Sequence, residues 1–337
     1  MIISRVSLEN KTFINLHAEQ SFEGSFGHFL DKNIQQAGVF QNTLSKSTID
    51  KIIDDFKTNP VQSEILIFDF NHLDFLQVNQ NINFKENIID AFNSICIQLL
   101  NVNHEIANKL GLSEHINIHK QERQHIFLNN KESFSAFSTY QAFEIVFHET
   151  LYKKYLEPNE KYHRSTPVYI NKFIDLKKFI SNDQKLFIYT LYFLALSMIK
   201  DKKSRDWVLR KGDNSIVLFA HNMNSSYIAS ILANFLLLDV ILVDHVGPIN
   251  KIYSTFDKRL NQNKKYLVVA DVVCLGTEVK IAKNIIEFSG STYLGNVSIV
   301  RINTLEEEDK KYSDVETIYV VEKGNNKIGY SISTALD

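Results

Sequence analysis

The stretch that decides the fold is Y-L-V-V-A-D-V-V-C-L-G-T-E-V, residues 266–279. Tyr266, Leu267, Val268, Val269 and Ala270 form an uninterrupted apolar run, the pattern of a strand covered on both faces. The run ends in an acid, Asp271. Val272, Val273, Cys274, Leu275, Gly276 and Thr277 follow as a tight loop, and a helix is predicted over residues 277–289. A loop that runs straight into a helix presents unpaired backbone N–H groups and the positive end of the helix dipole, which together make a ready phosphate site. Gly276 lets the backbone come close to a ligand, and the Thr277 hydroxyl adds one hydrogen bond. Asp271 stands where open α/β sheets take their ligands, and a carboxylate there accepts from ribose hydroxyls.

The flanks repeat the pattern. Strands are predicted over residues 215–220, 239–244, 293–302 and 316–321, and helices over 183–199 and 225–236. Residues 167–174 read as an extended entry segment. Strands alternating with helices imply a parallel sheet with right-handed crossovers. Asn222, Asn224, Ser225 and Ser226 fall in the turn between the 215–220 strand and the following helix.

Residues 266–279 resemble the phosphoribosyl-pyrophosphate (PRPP) loop of type I phosphoribosyltransferases, orotate phosphoribosyltransferase in particular. That loop has an apolar strand, two adjacent acids, two apolar residues and a Thr-Thr/Ala-Gly-Thr turn or a close variant. Asp271 matches the second acid, and Gly276 and Thr277 match the turn. Ala270 stands in place of the first acid, Cys274 in place of the first threonine and Leu275 at the small-residue position. Residues 215–236 resemble the family's strand–loop–helix that holds pyrophosphate, with Asn222, Asn224, Ser225 and Ser226 at the loop but without the usual paired glycines. Residues 167–199 resemble the N-terminal hood. The resemblance covers roughly half of the chain. It implies a site for a ribose-phosphate small molecule, with Mg²⁺ accompanying PRPP, Asp271 in the catalytic position and residues 272–277 around the phosphate.

The departures bear on mechanism. In the family a flexible loop brings basic residues over the pyrophosphate. Here Asp244-His245 stands in that place, and Lys251, Lys258 and Arg259 lie downstream outside the usual pattern. Glycosyl transfer depends on placed charge, normally Mg²⁺ and basic side chains. The expectation is therefore a domain that binds PRPP or a nucleotide in a regulatory or sensing role. An active phosphoribosyltransferase and a non-catalytic interaction scaffold are the alternatives.

The N-terminal part is a second α/β unit. Residues 64–71 (E-I-L-I-F-D-F-N) and 94–100 (S-I-C-I-Q-L-L) read as buried strands. Helices are predicted over 84–92 and 103–110, with Gly111 where a helix end favours a left-handed residue. Residues 12–16 and 116–118 are candidate strands, and 24–36 a candidate short helix. A helix over 47–57 would be capped by Ser47, with Ile49, Ile52, Ile53 and Phe56 on one face. Residues 65–75 and 95–112 resemble a STAS domain, the fold of anti-sigma-factor antagonists. That implies a module that docks a protein partner. The family's phosphorylatable serine is missing, because residues 76–81 read L-Q-V-N-Q-N. The plainer alternative is an accessory α/β unit.

Between the two, Phe134, Phe137, Tyr140, Phe143, Phe147 and Leu151 recur at helical spacing. They predict one long amphipathic helix that connects domains, makes a homodimer interface or packs in the core. The expected organisation is a STAS-like domain over 1–120, a helical connector over 121–164 and a phosphoribosyltransferase-like domain over 165–337.

Bulk properties exclude several classes. The chain has 337 residues and a net charge of −2, so it lacks the basic footprint of a nucleic-acid binder. Its two cysteines, Cys96 and Cys274, lie apart in apolar runs, and the histidines show no metal spacing. No metal ligands are expected from the chain itself. The most apolar stretch, 186–199, is too short to span a bilayer, and the N-terminus shows no apolar leader. No membrane association and a cytoplasmic location are expected. Residues 306–311 (E-E-E-D-K-K) read as a solvated charge run.

Overall fold

The computed structural model describes residues 5–16, 43–44, 46–73, 75–76, 84–92, 95–112, 116–120, 123–129, 138–158, 168–170, 172–200, 216–243, 260, 263–273, 276–302, 317–323 and 332–334. The candidate helix 24–36, the segment 77–81, Phe134, Phe137, Asp244, His245, Lys251, Lys258, Arg259 and the charge run 306–311 lie outside them. The chain divides into two compact units, Met1–His148 and Glu149–Asp337.

The first unit contains β1 (Arg5–Leu8), β2 (Lys11–Asn15), β3 (Thr43–Leu44), α1 (Lys46–Thr58), β4 (Ile65–Asp69) and β5 (Phe75–Leu76). These are followed by α2 (Phe84–Ala91), β6 (Cys96–Asn103), α3 (His104–Lys109), β7 (Ile116–Lys120), β8 (Arg123–Phe127) and α4 (Thr139–Thr150), which runs across the boundary between the units. Six strands form one mixed sheet in the order β1-β2-β4-β6-β8-β7. β2, β4 and β6 are parallel, and the β1/β2 and β7/β8 hairpins are antiparallel. Ile49, Ile52 and Phe56 of α1 join Leu66, Phe68, Phe70, Phe84 and Ile97 in one core, as their 3.6-residue spacing predicts. Helix α1 begins at Lys46, so Ser47 lies inside its first turn rather than capping it.

Two features depart from the sequence expectation. Residues 123–127, read as the start of a helical connector, are strand β8, paired antiparallel with β6. Their polar run R-Q-H hides a strand that is specified by pairing, not by its own apolar pattern. The long aromatic helix starts later than its spacing suggests: α4 begins at Thr139, after a non-helical Ser138, and passes after Thr150 into a π-helical turn, Leu151–Tyr155. Phe143 and Phe147 are fully buried and their rings stack at 5.6 Å, so this face serves packing within the chain. Asn103 caps α3 through the Glu105 amide (2.8 Å), and Gly111 takes the left-handed conformation after it, with φ 67°.

The second unit contains β9 (Leu156–Pro158), β10 (Val168–Ile170), β11 (Lys172–Ile174), α5 (Leu176–Asn182), α6 (Gln184–Lys200), β12 (Ile216–Ala220), α7 (Met223–Leu236) and β13 (Asp239–Leu242). It continues with β14 (Lys265–Val273), α8 (Thr277–Phe288), β15 (Thr292–Ile302), β16 (Thr317–Lys323) and β17 (Ile332–Thr334). Its main sheet has five parallel strands in the order β13-β12-β14-β15-β16. Two small antiparallel pairs, β9/β11 and β10/β17, lie outside that sheet. All five residues of β12 are buried, as a strand covered on both faces requires. Val279, Ala282 and Ile286 of α8 pack on Val217, Phe219, Tyr266, Val268 and Ala270, every second residue of β12 and β14. The sheet order reverses between β12 and β14, so the chain leaves those two strands in opposite directions. Such a switch point opens a crevice at the carboxyl ends of the strands. Among the described residues, no helix is long and apolar enough to cross a membrane.

Candidate functional site

The switch point joins two turns, one from β12 to α7 and one from β14 to α8. The first is built by local hydrogen bonding. Asn222 has an extended backbone, φ −150° and ψ 173°, and its side chain accepts the Ser225 amide at 2.8 Å. The Ser225 hydroxyl accepts the amides of His221 and Asn222 at 3.1 and 3.0 Å and donates to the Asn222 carbonyl. This reciprocal box satisfies the otherwise orphaned donors at the start of α7. Ser225 is fully buried by it. Of the four residues expected at a pyrophosphate loop, Ser225 is thus absorbed in building the turn. Asn222, Asn224 and Ser226 stay partly exposed.

The second turn is shorter than the sequence suggests. β14 runs two residues past Asp271, with Val272 opposite Val300 and Val273 opposite Arg301. Val273 is buried against α8. Both valines therefore belong to the strand, as their β-branched side chains favour, and the connection to α8 is reduced to residues 274–276. Cys274 and Leu275 lie outside the described residues. Gly276 caps α8 in the left-handed conformation, φ 71° and ψ 12°, which a side chain would strain. It offers no side-chain cap, so the first amides of α8 are not consumed by one. Thr277 is exposed as the first residue of the helix.

Asp271 and the α7 turn meet directly. The Asn224 side-chain amide donates to Asp271 Oδ2 at 2.8 Å, which fixes the carboxylate while leaving it half-buried. Two further residues complete the site, and sequence reasoning missed both. His221, the residue after β12, is buried to 1% side-chain exposure, and its Nε2 lies 2.9 Å from Glu278 Oε2. Asn222 Nδ2 donates to the same oxygen at 3.4 Å. Glu278 sits in the first turn of α8, where a carboxylate complements the helix dipole. The signal for His221 was its place directly after a wholly apolar strand at a βα turn. For Glu278 it was an acid two residues after the capping glycine.

The arrangement can accept hydroxyl hydrogens at Asp271 and present amides at the uncapped start of α8, the chemistry of a sugar with an anionic substituent. Among the described residues, no group of three or more His, Cys, Asp or Glu side chains forms a metal-binding set.

No family model matches the chain, and no curated protein matches it. Solved structures that resemble it include adenine phosphoribosyltransferase from Saccharomyces cerevisiae, at 13% identity and a TM-score of 0.38, over 52% of this chain and 99% of that one. Adenine phosphoribosyltransferase from Thermoanaerobacter pseudethanolicus is similar at 16% identity and a TM-score of 0.33, over 45% of this chain and 88% of that one. Orotate phosphoribosyltransferase from Aeropyrum pernix is similar at 15% identity and a TM-score of 0.31, over 45% of this chain and 79% of that one. At these identities and scores the likeness carries no argument about activity.

Proposed function

We propose that the second unit binds a phosphorylated ribose metabolite, PRPP or a nucleotide, at the β12/β14 switch point, in a regulatory or sensing role. The observation that carries this reading is the Asp271 carboxylate two residues before the end of β14. It is held by Asn224 at 2.8 Å, beside a helix start that Gly276 leaves without a side-chain cap. A fixed carboxylate recognises ribose hydroxyls, and a helix N-terminus recognises phosphate. Binding is favoured over transfer because Ala270, at the position of a second acid, is buried in the α8 core. With Asp271 as the one acid on that strand, and Glu278 tied to His221 and Asn222, little placed charge is left to stabilise a departing pyrophosphate and a cationic ribose. Mg²⁺ would enter with PRPP, neutralising its pyrophosphate.

Thermal denaturation with PRPP, ribose 5-phosphate and nucleoside monophosphates, each with and without Mg²⁺, tests the proposal. A ligand bound only by the folded chain stabilises it by about 2.7 kcal/mol at a hundredfold excess over Kd. No rise in melting temperature with any of them would remove the reading and leave the interaction scaffold. Phosphoribosyl transfer to a panel of bases would establish the second reading, an active enzyme, which Asp271, Gly276 and Thr277 favour. For the first unit, the STAS resemblance supports docking of a protein partner in the cytoplasm. Affinity capture with residues 1–148, set against the full chain, tests that role.

A further inference from the structure

The first turn of α6 is held from two sides. On one side stands the π-helical turn Leu151–Tyr155, which follows closely on the boundary between the units at His148 and Glu149. The Tyr155 hydroxyl donates to Asp183 Oδ2 at 2.5 Å, and the Asp183 carbonyl accepts the Phe187 amide at 2.9 Å, which closes the first turn of α6. On the other side stands the first turn of α7. The Tyr227 ring stacks on Phe187, with centroids 5.8 Å apart and planes at 12°. Tyr227 lies one helical turn after Asn224, whose side-chain amide holds Asp271 at 2.8 Å. A second connection uses rings alone: Phe187 meets Phe179 edge-on at 5.9 Å, and Phe179 meets Tyr155 at 5.5 Å. Tyr155, Phe179 and Phe187 are all buried.

We propose that the first turn of α6 is a coupling element, through which a ligand at Asp271 sets the rigidity of the π-helical turn. This deepens the proposed function and rests on it for the ligand, whereas the coupling itself belongs to the chain. Close-packed rings transmit displacement, because a void between them is costly. A shift of Tyr227 must be met by Phe187, and then by Asp183 and Tyr155. The π-helical turn supplies the two-state element that coupling requires. It interrupts the regular α-helical bonding of α4, and the same residues can return to that bonding. The Tyr155 bond to Asp183 holds them in the π form. A ligand hydrogen-bonded to Asp271 orders Asn224 and the start of α7, and the Tyr227–Phe187 stack then keeps Asp183 in place for Tyr155. Occupancy is thereby read out in the segment where the chain passes from one unit to the other, which is what a sensing role requires.

Hydrogen exchange of the full chain, read by mass spectrometry of peptides covering residues 151–155, follows the turn. With saturating ribose 5-phosphate or AMP, that segment is expected to exchange about fivefold more slowly, the low end of couplings between sites. Linkage makes the effect reciprocal. Y155F, which keeps the ring and removes only the bond to Asp183, is therefore expected to weaken binding of the same compound about fivefold by isothermal titration. Y227A cuts the connection, and Tyr227 is 41% exposed, so the variant should fold. It is expected to bind the compound without any response at 151–155. Unchanged exchange in wild type on binding, unchanged affinity in Y155F, or a response that survives in Y227A overturns the proposal. A ligand-free measurement covers the case in which neither compound binds. Phe187 and Phe179 stand between Tyr155 and Tyr227, so independent sites would give additive losses of stability in urea for Y155F, Y227A and the double variant. A double variant that loses less than the sum retains the coupling element and removes only the ribose reading. Additive losses overturn the coupling.

Discussion

Asp271 and Asn224 are 47 positions apart in sequence and 2.8 Å apart in space. Their pairing makes the carboxylate a fixed acceptor, so D271N should lower affinity for the ribose ligand by about tenfold or more, the scale of a hydrogen bond to a charged group. The melting temperature should barely move, because Asp271 is only half-buried; titration calorimetry and a thermal melt separate the two readouts. Ser225 should behave in the opposite way. Its hydroxyl is buried in the cap of α7, so S225A should cost about 1–2 kcal/mol of stability and leave ligand affinity within error. Asp271 stood out in the sequence because an acid after an apolar run is a positional signal, but its contact with Asn224 did not. Nor did the role of Ser225, since a serine in a turn reads equally well as a ligand contact or a cap. His221 and Glu278 were illegible because neither has a meaning until the two turns are side by side.

At the scale of elements, the second turn depends on backbone conformation. Gly276 is left-handed with φ 71°, so G276A should destabilise the chain by about 1–2 kcal/mol, seen as a lower urea midpoint with unchanged slope. The π-helical turn after α4 is anchored differently. The Tyr155 hydroxyl donates to Asp183 at 2.5 Å, and Lys154 lies 3.3 Å from the same carboxylate. Burial, with Asp183 adding to it, pushes the Tyr155 phenol up to about 12 from its ordinary 10.0. The folded chain therefore favours the protonated phenol. Its contribution to stability is whole below about pH 10 and is lost as pH rises toward about 12. Urea midpoints of wild type should fall across that window more steeply than those of Y155F. Equal slopes would show that this phenol does not report the packing of the turn.

Over the whole molecule, Phe68 belongs to the core of the first unit and Phe219 to that of the second, and both are fully buried. Each truncation to alanine should cost about 3–5 kcal/mol. F68A should sensitise residues 1–148 to proteolysis and F219A the remainder, read by mass spectrometry of the first fragments; identical fragments from both variants would show that the units unfold together. The α/β class with parallel strands was visible in the sequence, because buried parallel strands announce themselves as apolar runs. Strand β8 was not, since it carries its polar residues into the sheet.

What the sequence determined alone was the set of elements whose apolar period is complete within one segment: β4, β6, β12, β14, α1, α6 and the glycine-led start of α8. Hydrophobic burial acts residue by residue, so a segment states its own preference. Tertiary structure alone decided the length of β14, the strand identity of residues 123–127 and every hydrogen bond across the switch point. Those depend on which strand lies alongside, and pairing partners far apart in sequence leave no periodic trace in either one.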